Sequence, residues 1–374
     1  MSSHVIKFLL MFLFPVLALA QTGETKSENF TVEFQGSTGV DSWRVNNNNI
    51  RYLADYSTPE PYKNVGIWSE AKLGVTFNDY LKLTMMGKAH QVTGNKISRL
   101  ELDYKFLEKT AISVGVLPYR ISWCSPLMST NNFIREADPF CSFGGLNELA
   151  DSSAAVRLID SSRLGEWVLD SQLGYWNPKM SNSEDKLAIY VPVGQTVKHT
   201  KYGFSVNAVN LQTSTQIRVG ALKVHQDQND DRVNVSSLYQ RQLRYNMLFV
   251  GFEKNLMDNL VWKTTYSSYS GQQVNKIYPY SFLPTSITTE LSYTLNNNTF
   301  SFGYNNYVNK TTYSKTYSLL DVNTAALSYR RDFPKEKMFM VIQYNYNTNY
   351  NKSTSNTITN LVGQQIGIRI GKDF

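Results

Sequence analysis

A period-two alternation of apolar and polar residues recurs along this chain in segment after segment. Successive side chains of a strand point to opposite faces, so each such segment has one greasy and one wet side. Over 28–36, Phe30, Val32 and Phe34 oppose Thr31, Glu33 and Gln35. Over 80–91, Leu81, Leu83, Met85, Gly87 and Ala89 oppose Lys82, Thr84, Lys88 and His90, interrupted only by Met86. Leu100, Leu102, Tyr104 and Phe106 then oppose Arg99, Glu101, Asp103 and Lys105. At the chain end, Ile366, Ile368, Ile370 and Phe374 oppose Gln365, Gly367, Arg369 and Gly371. Few amphipathic helix patterns compete with these.

The first 20 residues read as a cleaved secretory signal peptide. Lys7 precedes an apolar run from Phe8 to Ala20 that ends in the small-x-small site Ala18-Leu19-Ala20. An uncleaved anchor is the alternative, but the run is too short to span comfortably, and no later run approaches the roughly 20 apolar residues of a membrane helix. No Cys stands at the cleavage point, so a lipid anchor is not expected. The remainder, 21–374, reads as a single domain. The 24 Tyr, 19 Phe and 6 Trp of the full sequence, with 18% charged residues, exclude disorder and coiled coil.

A soluble sandwich would alternate too, so strand length and loop asymmetry discriminate. Most segments reach about ten residues, as tilted membrane strands require. Connections in the second half alternate between short (296–297, 333–335) and long (271–283, 310–319, 350–360), the pattern of tight turns on one rim and long loops on the other. The expected fold class is all-β, a transmembrane antiparallel barrel of about 16 strands. The strands fall at 28–36, 65–77, 80–91, 97–107, 109–117, 153–160, 165–176, 200–210, 213–225, 242–254, 258–270, 284–295, 298–309, 320–332, 336–349 and 361–374. Leu187 to Val193 is left as loop on parity, and 18 strands is the alternative. Phe374 would close the barrel against 28–36. Tyr175, Trp176, Tyr266, Tyr344 and Tyr346 suit interfacial aromatic belts.

A barrel of this size is too wide for side chains to fill, so its lumen holds water unless something folds inward. The longest connection, 118–152, is the candidate for that. It carries Trp123, Phe133, Phe140 and Phe143, which favour burial, and both cysteines. In an oxidising compartment Cys124 and Cys141 are expected to form a disulfide contributing about 3 kcal/mol. A metal or redox site is the alternative, against which stands the lack of a C-x-x-C pair or a His-rich surround. No metal and no cofactor is expected. Lys72, Lys82, Lys88, Arg99 and Lys105 occupy the polar faces of strands two to four and would form one lumenal patch, with Glu70, Glu101 and Asp103 interspersed. Arg157, Arg218, Lys263 and Arg330 are further lumenal candidates by phase. Ordinary solvated charges without a selective role are the alternative reading.

The leader, the sixteen segments, the terminal Phe374 and the loop after strand five with Phe143-Gly144-Gly145 resemble the general trimeric porins of Gram-negative bacteria. The tripeptide is similar to part of that family's Pro-x-Phe-Gly-Gly stretch, with Cys141 where the motif has Pro. The resemblance implies an outer-membrane location, a homotrimer and an inward-folded constriction loop whose carboxylates face a basic wall. Carried over, the acidic side is Glu136, Asp138 and Glu148, with Asp151 at the loop's end; the basic wall it would face is the one read from phase, Lys72, Lys82, Lys88, Arg99 and Lys105. Phe374 would be the residue read by the barrel-assembly machinery.

The expected function is therefore a water-filled channel for passive diffusion of small hydrophilic solutes and ions, in contact with outer-membrane lipid and lipopolysaccharide. A sugar- or oligosaccharide-specific channel and a barrel-based adhesin or receptor are the alternatives, the latter resting on the long loop 176–200. Loss of Lys7 lowers the formal charge from +7 to +6, which leaves ion selectivity open. No basic run or recognition motif supports nucleic-acid binding. An enzyme is not expected: the 4 His are at positions 4, 90, 199 and 225, and no G-x-S-x-G elbow, H-E-x-x-H helix or phosphate loop is present.

Overall fold

The computed structural model describes residues 24–26, 31–46, 63–90, 94–118, 152–176, 179–180, 197–228, 241–275, 280–313, 316–353 and 358–374. The leader, the cysteines, the interior of the 118–152 connection and Leu187 to Val193 lie outside them. The described residues form eighteen strands, and two of these are short: Glu24–Lys26, which pairs with Thr31 to Glu33, and Lys179–Met180. The other sixteen form the barrel. They are β1 (Thr31–Asn46), β2 (Lys63–Asn78), β3 (Leu81–His90), β4 (Gly94–Lys105), β5 (Thr110–Pro118), β6 (Ser152–Leu164), β7 (Trp167–Trp176) and β8 (Val197–Asn210). The second half comprises β9 (Thr215–Gln228), β10 (Arg241–Met257), β11 (Leu260–Asn275), β12 (Tyr280–Leu295), β13 (Asn298–Tyr313), β14 (Thr316–Phe333), β15 (Met338–Ser353) and β16 (Ile358–Asp373).

Each strand pairs antiparallel with its successor, and β16 closes on β1 through a register running from Gln364↔Asn46 to Asp373↔Ser37. Closure leaves no edge, which is the condition for a sheet to sit in hydrocarbon with its backbone satisfied. The turns 79–80, 165–166, 258–259 and 296–297 are tight and share one rim. There Asn78 and Asn210 use their side-chain oxygens to accept backbone N–H groups two and three residues on, the Asx geometry that favours Asn at a turn.

The two faces separate by polarity. Outward-pointing Leu100, Leu102, Leu158, Phe204, Leu248, Ile287, Phe302, Leu327, Ile366 and Ile368 are exposed, while inward-pointing Glu70, Glu101, Asn305, Asn345 and Arg369 are buried. This is a globular protein turned inside out, and only a lipid surround makes the exposed apolar belt favourable. Tyr175, Tyr266, Tyr344 and Tyr346 point outward and are exposed, as belt residues must be. Trp176 does not: it is 1% exposed, because it follows Tyr175 on a strand and so points to the opposite face.

Two expectations about extent are corrected. The first strand runs on to Asn46, and its residues 37–46, not 28–36, pair with β16; of 28–36, Gly36 alone among the described residues bonds to the Phe374 backbone, through reciprocal hydrogen bonds of 3.1 and 2.9 Å. Beyond Gly36 the outward residues are Thr38, Val40, Ser42 and Arg44, so hydropathic alternation fades while the hydrogen-bonded ladder continues. The long second-half connections also shrink, to 276–279, 314–315 and 354–357. Their Tyr, Thr, Ser and Asn residues extend the hairpins past the apolar belt, where the outer face no longer needs to be greasy.

Glycines let large inward side chains lie flat against the wall. A Cβ at Gly39 would stand 2.7 Å from the Trp68 ring, one at Gly371 2.4 Å from the Phe339 ring, and one at Gly174 2.1 Å from the Trp176 ring. Gly115 has φ +135°, and a Cβ there would meet the Leu100 carbonyl oxygen at 2.0 Å. Gly115→Ala is therefore expected to lower the temperature at which the detergent-folded barrel loses its compact mobility on gels, by a strain of about 1–3 kcal/mol. Gly165→Ala, at φ +58° with nothing within 4 Å, should cost less. Equal transition temperatures for the two variants would contradict this.

Candidate functional site: the lumenal wall

The inward face of β4 is set by its alternation, which places Arg99, Glu101, Asp103 and Lys105 in one row. Register then decides what each meets. Glu101 lies opposite Gly115 on β5, and Asp103 opposite Ser113, which in turn lies opposite Arg157 on β6. Because Gly115 has no side chain, Arg157 reaches across β5 to the Glu101 carboxylate, which Arg99 also engages. Side chains of both Arg157 and Glu101 are 0% exposed, so the pair is fully withdrawn from water.

The network extends along the wall. Ser113 Oγ donates to Asp103 at 2.5 Å, Arg157 Nη1 donates to Gln172 on β7 at 3.5 Å, and Gln172 Nε2 donates to Ser205 on β8 at 2.5 Å. A continuous polar band thus runs from β4 to β8. Other inward charges are paired across strands, Lys82 with Glu33 at 3.7 Å, Arg369 with Asp41 at 3.5 Å and Lys263 with Glu253 at 2.9 Å, and Arg330 pairs with Asp332 at 2.7 Å along β14. Ser37 Oγ donates to Glu70 at 2.7 Å.

Of the basic-wall residues read from sequence, Lys72, Lys82, Arg99 and Lys105 stand on the inward phase of β2, β3 and β4, with Lys72 opposite Met86 and Met86 opposite Arg99. The Lys88 side chain and the His90 side chain lie outside the described residues, as do Glu136, Asp138, Glu148, Asp151, Cys124 and Cys141. Arg157, Arg218, Lys263 and Arg330 take the inward positions that phase assigned them. The described part of the wall therefore holds several ion pairs, and the most deeply buried of them centres on Arg157 rather than on a lysine.

A second inward feature escapes sequence reasoning. Trp68 from β2 lies over Gly39 and Gly371 and meets Phe339 from β15 with ring centroids 6.1 Å apart, joined by Val341. Arg330 stands 4.6 Å over the Phe339 ring and Arg369 5.9 Å over Trp68. This cluster bridges the β16–β1 closure from inside. Its signal in the sequence is an apolar residue on the polar phase, Trp68 two residues before Glu70, with glycines at the paired positions.

Removing one member of a buried ion pair strands the other, at a typical cost of 3–5 kcal/mol. Arg157→Met should therefore sharply reduce the yield of folded barrel, and Arg157→Met combined with Glu101→Leu should recover most of it. A single variant as stable as the unaltered barrel in thermal gel-shift assays would contradict the assignment.

No family model matches the sequence, and no curated protein matches it. Solved structures do. The barrel is similar to the outer-membrane channel DcaP of Acinetobacter baumannii, with a TM-score of 0.60 and 12% identity over 94% of this chain and 99% of that one. It is similar to OmpT of Vibrio cholerae, as expressed in the outer membrane, with a TM-score of 0.59 and 13% identity over 94% and 100%. An anion-selective porin from Comamonas acidovorans gives 0.56 and 11% over 91% and 99%. At these identities what is shared is the fold, a closed, porin-like barrel of outer-membrane type.

Proposed function

We propose that this protein is an outer-membrane porin, a channel through which small hydrophilic solutes and ions diffuse passively. The observation that carries the reading is the inversion of polarity, an apolar exposed outer belt around an inner wall that is mainly charges, amides and hydroxyls, with Leu117, Leu222, Val224, Met247 and Phe249 among its apolar positions. Structures of the same fold that are themselves described as a channel and as a porin support it. Permeation involves no chemical step: a solute exchanges its water shell for inward polar groups, and the paired charges of β4 to β8 set a local field along its path.

The finer assignments belong to the same proposal. The 118–152 connection narrows the lumen, with Glu136, Asp138, Glu148 and Asp151 facing Lys72, Lys82, Lys88, Arg99 and Lys105, and Cys124–Cys141 clamps it. The protein assembles as a homotrimer, as a trimer form of the Vibrio cholerae OmpT structure does. In favour of this, the outer faces of β1 to β3 carry the small residues Thr38, Ser42, Ser69, Ala71, Gly87 and Ala89 where other strands carry Leu, Ile and Phe. Phe374, whose ring packs at 5.9 Å from Phe34 on the outer face, is the terminal residue read during assembly. Lipopolysaccharide contacts the outer rim, and no enzymatic activity is assigned.

Single-channel recording of the refolded protein in a planar bilayer under a salt gradient tests the proposal. Stepwise conductance in multiples of three, with a reversal potential, is the expected result, and reductant should alter the step size. A folded barrel that never conducts would overturn the channel reading.

A further inference from the structure

Charge is also arranged on the outside of the barrel. The outward phase of β7 to β10 can be followed row by row through the register. Leu173, Phe204, Ala221 and Leu248 stand level in the apolar belt. The next row up is Tyr175, Tyr202, Lys223 and Asn246, and the row above it Thr200, His225 and Arg244. Two residues advance a strand by roughly 7 Å, so the surface passes from hydrocarbon to aromatic and then to cationic within two rows. Lys223, Arg244 and Asn246 are exposed and His225 is half-buried. Tyr202 is 51% exposed, and its ring meets that of Tyr175 with centroids 5.2 Å apart.

Position in the fold fixes what this surface faces. It lies at the end of the strands away from the turns at 211–214 and 258–259, on the rim of the long connections, which in outer-membrane barrels is the extracellular one. The leaflet beside it is therefore the outer leaflet. In a barrel of sixteen strands β9 is also eight strands from β1, so the cluster points away from the small-residue face of β1 to β3 and toward lipid.

The chemistry selects an anion. Lys223 and Arg244 are diagonal neighbours across β9 and β10, with Cβ atoms roughly 7–8 Å apart, so two long side chains can converge on one group. Arginine offers a planar fork that takes a phosphate on two N–H donors, and lysine adds a point charge. Asn246, beside Lys223, brings two further donors. On β11 the level positions Ser270 and Gln272 add no charge. The one acid on this phase is Asp227, a row higher, and in register it stands beside Lys198, itself opposite Lys179 of the short strand; the side chains of these three lie outside the described residues.

Resting on the outer-membrane barrel described above and on the lipopolysaccharide contact proposed for its rim, we propose that Lys223 and Arg244 form a seat for a phosphate of the lipopolysaccharide headgroup. The glucosamine bearing that phosphate lies against the Tyr175–Tyr202 pair, whose amphipathic rings suit the headgroup level. The acyl chains run down the apolar rows beneath. The seat fixes the height of this side of the barrel in the outer leaflet.

The test uses the full-length protein folded in detergent, with lipid A bearing both phosphates as probe and chemically dephosphorylated lipid A as control. In native mass spectrometry the phosphorylated lipid is expected to stay bound and the dephosphorylated one to leave. Lys223→Gln combined with Arg244→Gln should weaken binding of the phosphorylated lipid about thirtyfold. Arg44→Gln combined with Lys63→Gln, the same change of charge at residues paired across β1 and β2, should alter it less than about twofold. Equal retention of the two lipids, or equal losses in the two double variants, overturns the seat. Displacement of the lipid by millimolar inorganic phosphate would reveal a plain anion site and also overturn it. Conductance is read separately: a pore that conducts without preferring the phosphorylated lipid loses the seat and keeps the channel, and a barrel that binds the lipid but never conducts keeps the seat and loses the channel. The comparison of the two lipids on the unaltered protein stands even if a double variant does not fold.

Discussion

Backbone hydrogen bonding in a medium without water is the constraint on which the rest of this structure depends. In hydrocarbon a strand edge has no partner, so the sheet has to close, and it does so where residues 37–46 meet 364–373. Closure fixes which way every side chain points. Once the outer phase is given to Leu, Ile, Phe and Tyr, every polar group the sequence carries at alternate positions is committed to the interior, and the lumen's chemistry follows from the wall's greasiness.

The interior then faces its own difficulty, because charges placed on a low-dielectric wall are costly unless compensated. The chain resolves it by pairing. Glu101 takes two arginines, Asp41 takes Arg369, and Glu253 takes Lys263. Glycines make those contacts geometrically possible: Gly115 clears the path of Arg157 across β5, and Gly39 and Gly371 clear that of Trp68 across the closing strands. Positions that look like gaps in the strand pattern are therefore the ones that let distant strands touch. Where inward charge is absent among the described residues, on β13 and β15, amides and hydroxyls predominate.

Much of this was legible before any coordinates. Alternation located sixteen strands, and the phase of Arg99, Glu101, Asp103 and Arg157 followed from it, because a period of two leaves no freedom once one face is greasy. Strand ends were not legible, since above the belt the outward residues of β1 and β13 to β15 turn polar while hydrogen bonding persists. Individual partners were not legible either. That Arg157 meets Glu101 depends on a register across three strands and on one missing Cβ, and alternation says nothing about register between strands. Trp176 shows the limit from the other side: grouped with Tyr175 as an interfacial aromatic, it is turned inward by the same rule that turned Tyr175 outward.

The most direct test of the two-faced wall is a nitroxide scan along 362–371 of β16, in a background with Cys124 and Cys141 replaced by Ser, in lipid bilayers. Collision with oxygen, which concentrates in lipid, is predicted to peak at 366, 368 and 370, and collision with a water-soluble nickel complex at 365, 367 and 369. Accessibility that fails to alternate, or that alternates with the opposite phase, would contradict a barrel with a lipid-facing outside and a polar lumen.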